Sequence, residues 1–289
     1  MKYLENIQRG VDFIEERLDQ SIEIKLVARQ SGMSQWHFQR AFKALTGETL
    51  KTYIRSRRLS NSLQKLLNRD LRIIEIALDA GFESQEAYTR AFKKAFSMTP
   101  GEFRAIGEKH LFLRKVQFDE EYLSHINTSL SLTPEIIELK ERIFIGAKTT
   151  YYGVESDKNN VAEKLPGLWE DFLPRLEEIP NTIPGASYGI ISETEGASDE
   201  LNYHAATEVT NAYNIPEGLE VIELPAQKYA KFAHKGEVKK LDMTVNYIYS
   251  TWLAASDYSY ANAADMEVYG PEYHPTSDQS VIYYCVPVV

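Results

Sequence analysis

Along the first 107 residues apolar positions return every three to four residues, the period of helices with one buried face. Leu4, Ile7, Val11, Ile14 and Leu18 form the first stripe, which ends near Asp19-Gln20, and Ser21 is the N-cap candidate of the next helix. Ala28 and Gly32 stand four apart: a small residue where helices approach, then a glycine suited to a left-handed turn. Ser34 caps a helix whose Phe38, Phe42 and Leu45 predict a buried face; its other stripe is Trp36, Gln39, Arg40 and Lys43. The same grammar returns about fifty residues later as Ala77, Gly81, Ser84 and Arg90-Ala91-Phe92-Lys93, with Tyr53 and Phe103 each eleven residues past the corresponding phenylalanine. Residues 50–67 read as one helix between the copies, with Arg55, Arg57 and Arg58 on its surface. An internal duplication of helix-turn-helix type follows from this.

From Pro134 the period shortens to that of strands. Strands are expected over 136–140 and 143–152, then a helix through Val161, Leu165, Leu168, Trp169, Phe172 and Leu176, with Pro166 delaying its start to Leu165. Strands 188–193 and 203–209 follow, joined through the turn region Gly196-Ala197-Ser198-Asp199. The pattern then recurs: strands 219–224 and 227–234, a helix 238–255 carrying Trp252, and strands 266–269 and 281–288. The reading is an all-α double helix-turn-helix domain at 1–107, a linker at 108–133, and an α+β domain at 134–289 built as β-β-α-β-β twice. Two such halves leave a cleft on their pseudo-two-fold axis.

Net charge, -10 over 289 residues, taken alone counts against nucleic acid. It divides unevenly: residues 1–110 carry +5 and residues 111–289 carry -15. The asymmetry predicts different partners for the two parts. The lone cysteine, Cys285, excludes a disulfide framework or multi-cysteine zinc site and reads as packing, which makes a reducing, cytoplasmic setting the expectation. No apolar run reaches membrane-spanning length and no secretory signal is expected.

Helix-turn-helix units work by laying a helix in the major groove, long polar side chains at base edges and basic ones at phosphates. Trp36, Gln39, Arg40 and Lys43 offer that set on the first helix, and Gln85, Thr89, Arg90 and Lys93, beside Glu86, on the second. A solvated face on an ordinary bundle is the alternative for either helix alone; its repetition favours double-stranded DNA. Residues 33–43, Tyr53-Ile54-Arg55-Ser56-Arg57-Arg58-Leu59, and Gly81-Phe82-Glu83-Ser84-Gln85 through Thr99-Pro100-Gly101-Glu102-Phe103-Arg104 resemble the AraC/XylS transcription regulators, in their MarA/SoxS/Rob-like branch. The resemblance implies a monomeric reader of two successive major-groove segments at a promoter, activating transcription beside RNA polymerase. It carries base contacts to Trp36, Gln39, Arg40, Gln85, Thr89 and Arg90.

In the second half Trp169 and Trp252 occupy comparable places on the two helices, and Glu208, Glu267, Tyr269, Tyr283 and Tyr284 lie on strands expected to line the cleft. Aromatic walls with a carboxylate suit organic cations; core aromatics and solvated glutamates are the plainer alternative. Leu224-Pro225-Ala226-Gln227-Lys228-Tyr229-Ala230-Lys231-Phe232-Ala233-His234-Lys235-Gly236 and Asp265-Met266-Glu267-Val268-Tyr269 resemble the GyrI-like effector-binding domain. That resemblance implies a small amphipathic or cationic ligand in an aromatic pocket; the residues expected from the strand and helix reading to hold it are Trp169, Glu208, Trp252, Glu267, Tyr269 and Tyr283. Tyr283 stands where many members carry glutamate. The histidines are scattered and no nucleophile or metal constellation is present, so neither cofactor, metal site nor enzymatic activity is expected. Hydrolysis of reactive small molecules by the second half, or a vestigial pocket serving protein contacts, are the competing readings.

Overall fold

The computed structural model describes residues 2–106, 133–195, 199–275, 277 and 279–289. The linker expected at 108–133 and the turn residues Gly196, Ala197 and Ser198 lie outside the described residues, except Thr133.

Seven helices form the first part: α1 (Lys2–Glu15), α2 (Ile24–Ser31), α3 (Gln35–Thr46), α4 (Leu50–Leu67), α5 (Ile73–Asp79), α6 (Gln85–Phe96) and α7 (Pro100–Ile106). The turn between α2 and α3 is set by Gly32 at φ +66°, a left-handed conformation that disfavours any residue with a Cβ. Ser34 then caps α3 by accepting from the His37 amide at 3.2 Å, and Ser84 caps α6 by accepting from Ala87 at 3.1 Å. The expected cap Ser21 has no such place, because α2 starts at Ile24 with Glu23 before it and no side-chain cap. Of the arginines expected on the surface of α4, Arg55 is exposed. Arg57 instead binds Glu15 at 2.8 Å, and Arg58 donates to the Leu18 and Gln20 carbonyls, tying α4 to the end of α1.

The second part is one antiparallel eight-stranded sheet in the order β1-β6-β8-β7-β3-β4-β2-β5. Its strands are β1 (Glu135–Leu139), β2 (Arg142–Tyr152), β3 (Thr182–Glu193), β4 (Glu200–Val209), β5 (Glu220–Leu224), β6 (Gln227–Lys235), β7 (Asp265–Tyr269) and β8 (Val281–Val288). The halves meet at the centre, where β3 pairs with β7, and they exchange first strands: β1 pairs with β6 and β5 with β2.

The helix Val161–Phe172 begins at Val161, so Pro166 does not delay it. Asn159 and Asn160 organise the entry through hydrogen bonds to the Val161 and Tyr152 amides. In the second half a helical segment starts at Leu241, passes through a π turn at Ile248–Trp252 and ends at Ala255.

Among the described residues, three buried clusters organise the fold. One lies on the sheet face away from the helices, around Phe144, Tyr188 and Cys285. A second belongs to the later helix-turn-helix unit, around Tyr88, Phe92 and Phe103. The largest runs without a break from the first unit (Ile7, Val11, Phe38, Phe42) to the helix-bearing face of the sheet (Tyr203, Phe232, Tyr249, Tyr284). The first reading unit and the sheet domain thus share a core.

Candidate functional site: two duplicated helices and a buried acidic aromatic cluster

The duplicated helices α3 and α6 have the same caps and the same phenylalanine faces, but different surroundings. On α6, Gln85, Arg90 and Lys93 are exposed and Thr89 is half-buried. On α3, Trp36, Gln39 and Arg40 are 5%, 4% and 8% exposed and only Lys43 of that stripe is half-exposed. Their burial comes from the sheet domain. The Trp36 amide donates to Glu193 at 3.2 Å, Gln35 and Gln39 donate to Asp199 at 3.0 and 3.4 Å, and Lys51 binds the same carboxylate at 2.7 Å. Thr49, the cap of α4, donates to Asp157. His37 lies against the Tyr260 ring with centroids 3.9 Å apart, and burial pushes its pKa down to about 3.

Arg40 also enters this contact. Its Nη1 meets Glu155 at 3.4 Å, and its guanidinium stands 5.6 Å from the centre of the Tyr249 ring. Burial opposes its charge, but Tyr284, Glu155, Tyr249 and Asp242 offset that penalty, so it stays a cation. Glu155, itself fully buried, is held above the usual carboxylate range by desolvation, with Arg40 pulling the other way.

Below Arg40 the sheet offers two carboxylates. Asp265 and Glu267 are two apart on β7, so both project to the same face. Asp265 accepts hydrogen bonds from Tyr249 at 2.8 Å and from Tyr284, and burial lifts it to about 6. Glu267 accepts from Tyr203 and Tyr269, each at 2.7 Å, and burial raises it as well. The charge of Arg40 acts on both. Trp169 closes one side, donating to the Tyr203 hydroxyl at 3.1 Å and meeting the Tyr269 ring edge-on at 5.1 Å. The floor is Gly189 on β3, opposite Glu267: a Cβ there would stand 2.2 Å from the Tyr203 hydroxyl and 2.6 Å from the Glu267 carboxylate, so only glycine lets this pair lie on the strand.

Trp169, Glu267 and Tyr269 are therefore brought together. Trp252 packs on Phe232 and stacks on Tyr258, on the helix of the other half. Glu208 and Tyr283 face the opposite side of the sheet, contrary to the sequence reading. Glu208 is held there by a bidentate pairing with Arg142, and Tyr283 bonds Glu272 beneath Lys231. Sequence reasoning missed Asp265, Tyr203, Tyr249 and Gly189 as cleft residues. Asp265 had a readable signal, its parity with Glu267 and Tyr269.

Among the described residues no group of three or more His, Cys, Asp or Glu side chains could hold a metal ion, and no helix is long and apolar enough to cross a membrane. Cys285 is buried on the far face.

Residues 132–289 match the GyrI-like small molecule binding domain family and residues 27–106 a helix-turn-helix domain family. Transcriptional regulator Rob of Salmonella typhimurium is 29% identical over 282 residues, covering 94% of this chain and 93% of Rob. Regulatory protein SoxS of the same organism is 38% identical over 104 residues, 36% of this chain and 97% of SoxS. The solved structure of SAV2435 bound to tetraphenylphosphonium is similar over 55% of this chain and 94% of that one, at 16% identity and a TM-score of 0.46. With its double helix-turn-helix part and its duplicated sheet domain, this chain belongs to the AraC/XylS-type transcriptional regulators that carry a GyrI-like small-molecule-binding domain.

Proposed function

We propose that this regulator activates transcription beside RNA polymerase in response to a lipophilic organic cation bound in the Asp265/Glu267 cleft. The observation that carries the ligand class is the pair of buried carboxylates on β7, ringed by the Tyr203, Tyr249, Tyr269 and Tyr284 hydroxyls and walled by Trp169. Two carboxylates so far from solvent lack full compensation from neutral phenols, and a cation with aromatic or aliphatic bulk supplies the missing charge while burying apolar area. Trp36, Gln39, Arg40 and Lys43 on α3, and Gln85, Thr89, Arg90 and Lys93 on α6, are the residues assigned to DNA. Hydrolysis has no support of comparable strength: the carboxylates are bound to phenols, and Cys285 is on the other face with its thiol pushed up to about 12 by burial.

The test is calorimetric titration of the full chain with tetraphenylphosphonium and with the neutral isostere tetraphenylmethane carrying a solubilising ether. Glu267→Gln should weaken the cation about tenfold or more and the neutral compound little. Equal losses for both would remove the carboxylate as counter-ion.

A further inference from the structure

The contact between α3 and the cleft has three features that belong together. First, it buries the side of α3 assigned to DNA, while the equivalent side of α6 is free. Second, α3 brings a guanidinium into this contact, set over the Tyr249 ring and acting on Glu155, Asp265 and Glu267, which makes Arg40 the chain's own counterpart of an organic cation. Third, the contact is incompletely satisfied. Trp36 Nε1, His37 Nε2 and Glu155 Oε1 are buried polar atoms with no hydrogen-bond partner, all in this interface. Each orphaned group forfeits the hydrogen bonds that water would give it, a penalty on the closed arrangement. A permanent domain interface gains nothing from such groups; one that must open benefits, because the penalty keeps closed and open arrangements within reach of a ligand's binding energy.

We propose that α3 is a tethered occupant of the effector cleft: Arg40 holds the cation position in the absence of ligand, and a ligand cation displaces it, releasing Trp36, Gln39 and Arg40 to the major groove. This rests on the ligand reading above and adds the coupling. Ligand and α3 compete for one space, so no long-range path through the protein is required. Because DNA binds the released form alone, DNA and cation each raise the other's affinity by the same factor.

The experiment uses the full chain with spin labels at Lys94→Cys and Lys140→Cys, both exposed positions, one on α6 and one in the sheet domain; Cys285 is buried. A second chain, the latch variant, adds Asp199→Ala and Glu193→Gln, which remove the sheet domain's hold on α3 and Lys51 while the cleft carboxylates and the helices' reading residues stay unsubstituted. DNA is a duplex enriched from a randomised pool by that latch variant. Tetraphenylphosphonium should lengthen the label separation and raise the DNA affinity of the parent chain about tenfold, with the reciprocal gain in cation affinity. The latch variant should bind DNA about tenfold more tightly without the cation and gain little from adding it. Arg40→Ala should bind the cation more tightly than the parent, which keeps the test decisive should the latch variant fold poorly. Cation binding that leaves label separation and DNA affinity unmoved would overturn the competition while the ligand reading stands. If tetraphenylphosphonium binds neither the parent nor Arg40→Ala, the ligand reading falls and the competition with it.

Discussion

The two helix-turn-helix units are near copies in sequence and differ most in what surrounds them. α6 keeps its reading face in solvent and its core to itself, around Tyr88, Phe92 and Phe103. α3, with the same cap and the same Arg-Ala-Phe-Lys run, merges its core with the sheet domain and hides its reading face there. The difference teaches that duplication fixes how a helix is built and not how it is used. The apolar side of each helix is committed to a core, closed on its own unit for α6 and continuous with the sheet domain for α3. The polar side is open to whichever partner offers complementary chemistry, and a cleft with Glu155, Asp265 and Glu267 offers Arg40 what a phosphate and a guanine edge would offer it.

The largest effects should show the units as equals. Phe42 and Phe92 are both fully buried, and truncating either to alanine should cost about 3–5 kcal/mol by chemical denaturation. The comparison sharpens if Phe42→Ala also loosens the sheet domain, whose core it shares, while Phe92→Ala leaves that domain's transition in place. Next in size is the loss of base readout. Measured at saturating tetraphenylphosphonium, Arg40→Ala and Arg90→Ala should each weaken DNA binding by about 1–3 kcal/mol and relax preference at one position. Without the cation only Arg90→Ala should show its full effect; equal losses in both conditions would break the contrast between buried and free helices.

The smallest predicted effect is a pH dependence. His37, at about 3 in the closed contact against an ordinary value of 6.5, is neutral there. Its contribution to closure is complete above about pH 6.5. It is lost as pH falls from there toward 3, by up to about 1.4 kcal/mol per unit. The groups facing it from α1 and the sheet domain are the Tyr3, Tyr249 and Tyr260 rings, which do not ionise in this window. Burial lifts Asp265 to about 6 and raises Glu155 and Glu267 as well, an effect of the opposite sign, so the readable quantity is the difference between the parent chain and His37→Gln. The label separation should widen between pH 7.5 and 5.5 more in the parent; identical curves would remove His37 from the balance.

Much of this architecture is legible in the sequence because it is periodic. Both turn glycines, both serine caps and the β-β-α-β-β repeat follow from spacing, and their positions in the structure match within a few residues. Facing within the sheet is harder to read. β4 is buried on nearly every residue and β8 is apolar nearly throughout, so neither strand displays the alternation that would have assigned Glu208 and Tyr283 to the far side. The partners of Arg40 and Gln39 were hidden for a different reason. Glu155 lies in the segment after β2 and Asp199 just before β4, and loop carboxylates carry no periodic mark of a remote contact.

The exchanged first strands bear on how this regulator can move. Each half clasps a strand of the other at its outer rim, so drawing the halves apart would tear β1 from β6 and β5 from β2 together with the central β3–β7 seam. The sheet is thereby interlocked against splitting along its own symmetry axis. A receptor so fastened meets its ligand as a rigid body, and the motion that carries the message falls to the joint between the parts.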